Sequence, residues 1–196
     1  MKSYYYLIAQ LPSLSLDHKP PMSSSSFISL ASSMMDKEDA ELLSLVLINL
    51  NSDFSATGCA FIDNWQEWER TLRLNLAKNR AVKLKREPPS EEAPAFPADA
   101  AAAALKIVNE LFAGDSFLQG ISPLAAEIAL DAARWSAIDS LAGYEQFSRE
   151  AVYAYLLKLL LLERRQLFEA EKGFAEYKSL YNEIIEDSGQ GLMSSE

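Results

Sequence analysis

The chain contains one cysteine, Cys59, and one histidine, His18. A single cysteine excludes an internal disulfide framework and any multi-cysteine zinc site. A lone histidine excludes the metal motifs built on histidine pairs. Glycine is scarce, with 7 in 196 residues, which excludes a collagen-like repeat and weighs against a turn-rich β sandwich. Long apolar runs are missing too. The most apolar stretch, 152–162, is interrupted by Lys158 and bounded by Arg149, Glu150 and the charged residues 163–165, well short of the ~20 residues that a membrane span needs. Residues 1–16 hold one basic residue, Lys2, and no long apolar segment, so no signal peptide is expected and the expected compartment is the cytoplasm. The sequence has no G-x-x-x-x-G-K-[ST], G-x-G-x-x-G, H-E-x-x-H or G-x-S-x-G, the short patterns that cradle phosphates, bind zinc or carry a nucleophilic serine. A net charge of −10 argues against nucleic acid as the main partner, because phosphate binding needs concentrated positive charge.

The composition is 49% hydrophobic, enough for a core at this length. The aromatic-rich residues 3–14 read as an extended segment ended by Pro12. The serine run 23–26 supplies a cap for a short helix over 27–34. Asp36 caps a helix expected over 37–48, with Glu38 and Asp39 suiting its dipole. Residues 49–62 read as loop. Asp63 and Gln66 resemble a capping box opening a helix to about Lys85, roughly 35 Å long at 1.5 Å per residue. Trp65, Trp68, Leu72 and Leu76 share one of its faces, whereas Leu74, Ala77, Ala81 and Leu84 lie nearly opposite. Asp99 caps an alanine-rich helix to about Ala113. Ser122 followed by Pro123 opens a helix that Gly143 ends, with Leu124, Ile128, Trp135 and Ile138 as its apolar stripe. Ser148 caps a central, largely apolar helix to about Ala170, and a last amphipathic segment holds Phe174, Tyr177, Tyr181 and Ile184. The expectation is an all-α protein of about seven helices in two small lobes, 1–86 and 99–187. A Pro/Glu-rich linker, 87–98, joins them, and a polar tail, 188–196, is expected to be disordered.

Three constellations could carry function. Arg70, Arg73, Lys78, Arg80, Lys83, Lys85 and Arg86 bring seven of the 18 basic residues into residues 70–86 with no acid between them. They spread around the helix, so one buried face cannot absorb them. Two readings lead: a basic arm that docks an acidic partner or acidic lipid heads, or a solvated helix end whose cations oppose the C-terminal dipole; nucleic acid is a weaker third, since no aromatics alternate with the charges beyond Trp65 and Trp68. Asp131 lies inside the apolar stripe between Ile128 and Trp135. A buried carboxylate must be paired or protonated, and Arg134 at i+3 or Lys158 of the central helix would pair it. The leucines of 156–162 are expected in the core, Leu156, Leu159 and Leu160 packing with Trp135; a leucine-lined partner groove is the alternative. Cys59 reads as a small buried hydrophobe and His18 as a surface residue. Neither suggests a nucleophilic pair, and no catalytic, cofactor or metal residue is expected.

A family resemblance rests on Tyr4-Tyr5-Tyr6-Leu7-Ile8-Ala9, Leu11-Pro12 and Pro20-Pro21. It continues through the helix from Trp65 to Leu84 with Leu72-Arg73 and Arg80-Ala81. Ala133-Arg134-Trp135 follows, then Tyr155-Leu156-Leu157-Lys158-Leu159 with Glu163-Arg164. These resemble an uncharacterised bacterial family encoded with V/A-type rotary ATPases. That family in turn resembles the C-type central-stalk component of V-type ATPases, the one called d in eukaryotes. The resemblance implies a non-catalytic, all-helical central-stalk part, peripheral on the inner face of the cell membrane, with the stalk and the membrane rotor ring as partners. The C-type component is longer and built from three similar helical lobes. This chain has room for about two and shows no clear internal repeat, so a shortened stalk part, an assembly factor and a protein linked to the complex only by gene neighbourhood all stay open.

Overall fold

The computed structural model describes residues 3–46, 56–90 and 123–166. Six helices and no strand occur among them: α1 (Tyr5–Ala9), α2 (Ser24–Met34), α3 (Lys37–Leu43), α4 (Ala60–Lys83), α5 (Pro123–Ala142) and α6 (Arg149–Gln166). The protein is all-α in these parts. The alanine-rich helix from Asp99, the segment around Phe174 and the tail lie outside the described residues.

The start of the chain is helical rather than extended. Tyr4 and Leu7 are buried while Tyr5 and Tyr6 are exposed, a spacing of three that fits a helix and not the alternation of a strand. The Tyr4 N–H donates to the Phe147 carbonyl at 2.7 Å and holds this entry in place. Tertiary contact thus overrides the β preference of three consecutive tyrosines.

Ser23 caps α2 as expected, its hydroxyl accepting from the Ser26 N–H at 3.1 Å. Asp36 holds the cap position of α3 without a side-chain cap bond, and α3 stops at Leu43, short of the expected 48. Helix α4 begins at Ala60, three residues before the expected capping box. Phe61 and Ile62 are buried, and placing them in the first turn directs both into the core. Asp63 is therefore inside the helix. It accepts from the Thr57 N–H at 2.8 Å and the Thr57 hydroxyl at 2.7 Å, bracing the preceding turn. Pro123 opens α5 and Gly143, at φ 71°, follows its last residue. Ser148 caps α6 through the Ala151 N–H at 3.2 Å.

Trp65, Trp68, Leu72 and Leu76 are all buried, with Trp65 and Trp68 stacked at 5.6 Å between ring centroids. α4 packs along α5 and α2 packs against α3. α6 is the central helix: Val152, Tyr153, Ala154, Leu156, Leu157, Leu159, Leu161 and Leu162 are buried. The expected stripe of α5 is a correction. Ile138 is buried as expected, but Leu124 and Ile128 are exposed, and the helix buries Ala126, Leu130 and Ala133 in their place. Alanines on that face let helices approach closely, and a side-chain pattern keyed to large residues overlooks them. Trp135 and Leu160 are half-buried and do not join Leu156 and Leu159 in the interior.

One apolar cluster draws on α1, α2 and α4 and equally on α5 and α6. The chain divides into compact units at Met1–Glu163 and Arg164–Glu196, and the described residues on both sides of the expected linker, 87–98, contribute to this one cluster. Residues 87–90 are exposed and without regular structure. Of the second unit only residues 164–166, the end of α6, are described.

Candidate functional site

Glu69 sits in the middle of the α4 apolar stripe, four residues after Trp65 and three before Leu72, and its side chain is fully buried. A carboxylate taken out of water needs several donors to remain charged. It has three: Arg134 Nε to Oε2 at 2.9 Å, Arg134 Nη2 to Oε1 at 3.0 Å, and Arg73 Nε to Oε1 at 2.8 Å. The first two form a fork across the α4–α5 interface. The same guanidinium donates from Nη1 to Asp131 Oδ1 at 3.1 Å. Burial alone would favour loss of the Arg134 proton. The hydrogen bonds and charges of Glu69, and then of Asp131, outweigh it and hold the proton more firmly than usual.

The expected Asp131–Arg134 pair is therefore present and buried, but Lys158 is not part of it. Its ammonium pairs with Asp139 and lies 4.7 Å from the centre of the Trp135 ring, a cation–π contact at the edge of the interior. Glu69 is the residue that sequence reasoning missed. Its signal was the one that singled out Asp131, an acid inside an apolar stripe.

A second buried acid, Asp39 of α3, ties three segments together. It accepts from the Tyr4 hydroxyl and from Arg149 Nη1 at 3.1 Å, and its backbone carbonyl accepts from the Tyr153 hydroxyl at 3.0 Å. Burial raises both phenols well above their ordinary range; the Asp39 hydrogen bond adds to this at Tyr4, and the Asp39 charge at Tyr153. Glu163 of α6 reaches the first turn of α2, accepting from the Ser24 N–H and hydroxyl, each at 2.7 Å. Cys59 is buried in the apolar cluster and His18 is exposed.

The seven basic residues divide into two groups. Arg73 is half-buried and belongs to the Glu69 cluster, with Arg70 exposed beside it. From Ala77 to Arg86 no residue whose side chain is described is buried. Lys78 is half-buried, and Arg80, Lys85 and Arg86 are exposed and make no ion pair among the described residues. The stripe that began at Trp65 ends at Leu76; the next positions in its register, Arg80 and Lys83, are cationic. α4 thus leaves the core for its last two turns, about 12 Å at 1.5 Å per residue. Another exposed feature lies where α1 meets the start of α6. The Tyr5 ring packs on Phe147 at 4.8 Å and on Tyr6 at 5.7 Å, and all three rings are exposed.

Among the described residues no group of three His, Cys, Asp or Glu side chains could hold a metal ion, and no helix is long and apolar enough to cross a membrane. The fold and these clusters define an all-α protein whose buried charges join helices. No family model matches the chain, and neither a curated protein nor a solved structure matches it.

Proposed function

We propose that this chain is a non-catalytic coupling part of a V/A-type rotary ATPase, bridging the stalk and the membrane rotor from the inner face of the cell membrane. The observation that carries the reading is how the charges are used. Glu69 and Asp39 are engaged with basic or hydroxyl groups from other segments of the fold, and Asp131 braces the same Arg134 from within α5, which suits mechanical stiffness more than proton transfer. The surface offers an exposed aromatic contact region, the Tyr5–Tyr6–Phe147 rings, and a separate basic end of α4 suited to the membrane side of such a part. Exposed tyrosines are favoured anchors in protein interfaces. The resemblance of 4–9, 11–12, 20–21, 65–84, 133–135, 155–159 and 163–164 to the ATPase-associated family supports this choice of complex.

An acidic helical adaptor or assembly factor of the same complex is the second reading, favoured by the net charge of −10. Affinity purification of the tagged chain from its native cell, with quantitative mass spectrometry, tests both. A coupling part co-elutes with stalk and rotor proteins in fixed stoichiometry. An assembly factor co-elutes substoichiometrically and is missing from the mature enzyme. Absence of every rotary ATPase protein from the eluate ends the proposal.

A further inference from the structure

We propose that the projecting end of α4 is an anionic-lipid contact, Arg80, Lys85 and Arg86 engaging acidic headgroups while Val82 and Leu84 enter the interfacial layer. This goes beyond the coupling role and does not depend on it.

Three observations carry it. The first is charge: residues 80–86 hold Arg80, Lys83, Lys85 and Arg86 with no acid, in a chain of net charge −10. Such a cluster complements a headgroup layer within a screening length of about 8 Å at physiological salt. The second is exposed apolar surface among those charges. Val82 is 68% and Leu84 56% exposed, although large aliphatic side chains on a solvated helix end gain nothing from facing water. On the helical wheel they point to nearly opposite sides, and the cations also surround the helix. A protein interface uses one face of a helix. A tip with charge on all sides is met by an anionic headgroup layer that closes around it.

The third is the backbone of the tip. The Lys85 N–H donates to the Val82 carbonyl at 3.1 Å and the Arg86 N–H to the Ala81 carbonyl at 2.9 Å, the paired bonds of a Schellman ending. This places Lys85 in the left-handed region at φ 53°, a position that glycine fills without steric cost. A lysine at a site suited to glycine keeps a cation just past the end of the helix, and retained strain is a pointer to use.

The experiment is flotation of the purified full chain with phosphatidylcholine vesicles, with and without about one-third phosphatidylserine. The chain should partition onto the phosphatidylserine vesicles, remain free of the neutral ones, and be released as salt rises. Neutralising all three cations (R80Q/K85Q/R86Q) should lower the partition coefficient about 100-fold, roughly fivefold per cation. V82S/L84S should lower it about 10-fold, and the binding that is left should be more easily displaced by salt. Because all five side chains are exposed, circular dichroism and the unfolding midpoint should stay unchanged in both variants. Equal binding to the two vesicle types, or an unchanged partition of the neutralised variant, overturns the proposal. So does a chain that ignores both vesicle types while the neutralised variant loses its rotary ATPase partners on purification, which would make the tip an acidic-protein contact.

Discussion

Arg134 of α5 grips Glu69 of α4 through two hydrogen bonds, Nε to Oε2 at 2.9 Å and Nη2 to Oε1 at 3.0 Å, with both side chains withdrawn from water. The fork sets the rotation of each helix about its axis, because a guanidinium meets a carboxylate in this way in few orientations. Apolar packing tolerates sliding far better.

Removing one partner leaves buried charge uncompensated. Glu69→Ala should therefore lower stability by about 3–5 kcal/mol, measured by urea unfolding. Replacing the group together, Glu69→Leu with Asp131→Leu and Arg134→Met, should recover most of that loss, since a packed apolar cluster needs no counter-charge. A loss under about 1 kcal/mol for Glu69→Ala would show that the cluster is solvated.

Besides its Ser23 cap, the first turn of α2 is held by Glu163, 139 positions away. Glu163→Ala should destabilise the fold by about 1–2 kcal/mol, the usual worth of a helix cap, with charge assisting. Ser24→Ala should cost less, because the bond from the Ser24 N–H to Glu163 survives it. Equal losses for the two variants would mean that the hydroxyl carries the contact.

Lys85→Gly should raise stability by about 0.5–1 kcal/mol, the relief of the left-handed Cβ clash less glycine's greater freedom in the unfolded chain. Lys85→Ala keeps the clash and should give no gain. Thermal unfolding separates the two, with an expected rise of about 1–4 °C for glycine alone.

Alkaline pH should destabilise the protein through its tyrosines. Burial pushes Tyr155, packed on Phe27 and donating to the Pro12 carbonyl, up to about 12, and raises Tyr4 and Tyr153 further. An unfolded tyrosine titrates near 10. The contribution of each is thus whole below pH about 10 and is lost as pH rises towards the folded value, for Tyr155 between about 10 and 12. Tyr155→Phe should flatten part of this slope in unfolding free energies measured across that window. An identical slope in the variant would refute the assignment.

Leu159→Ala should cost about 2–5 kcal/mol, because Leu159 is fully buried. Leu160→Ala should cost clearly less, its side chain being half-buried. Matching losses in chemical denaturation would place both leucines inside.

The helical class, the stripe from Trp65 to Leu76, the caps at Ser23 and Ser148 and the burial of Asp131 with Arg134 are legible in the chain alone. Each is a short-range pattern: residues three, four or seven apart share a face, and a polar side chain at a helix start meets a free N–H. The same rules miss what depends on distant partners. Residues 3–14 read as extended because three tyrosines favour strands, until Phe147 anchors Tyr4. The capping box at Asp63 yields to two buried residues upstream of it. On α5, Leu124 and Ile128 look like the core, yet the alanine face packs inward, because what a helix buries depends on its neighbour.

The amino-acid sequence by itself determined that this chain is helical, acidic, and basic at one end of its longest described helix, since propensity, period and charge are properties of nearby residues. Only the tertiary structure decided that Glu69 completes the Arg134 cluster, that Lys158 turns to Asp139 and Trp135, and that Asp39 and Glu163 join segments more than a hundred residues apart. A buried charge takes whichever partner the packing brings within about 3 Å, and sequence distance carries no record of that choice.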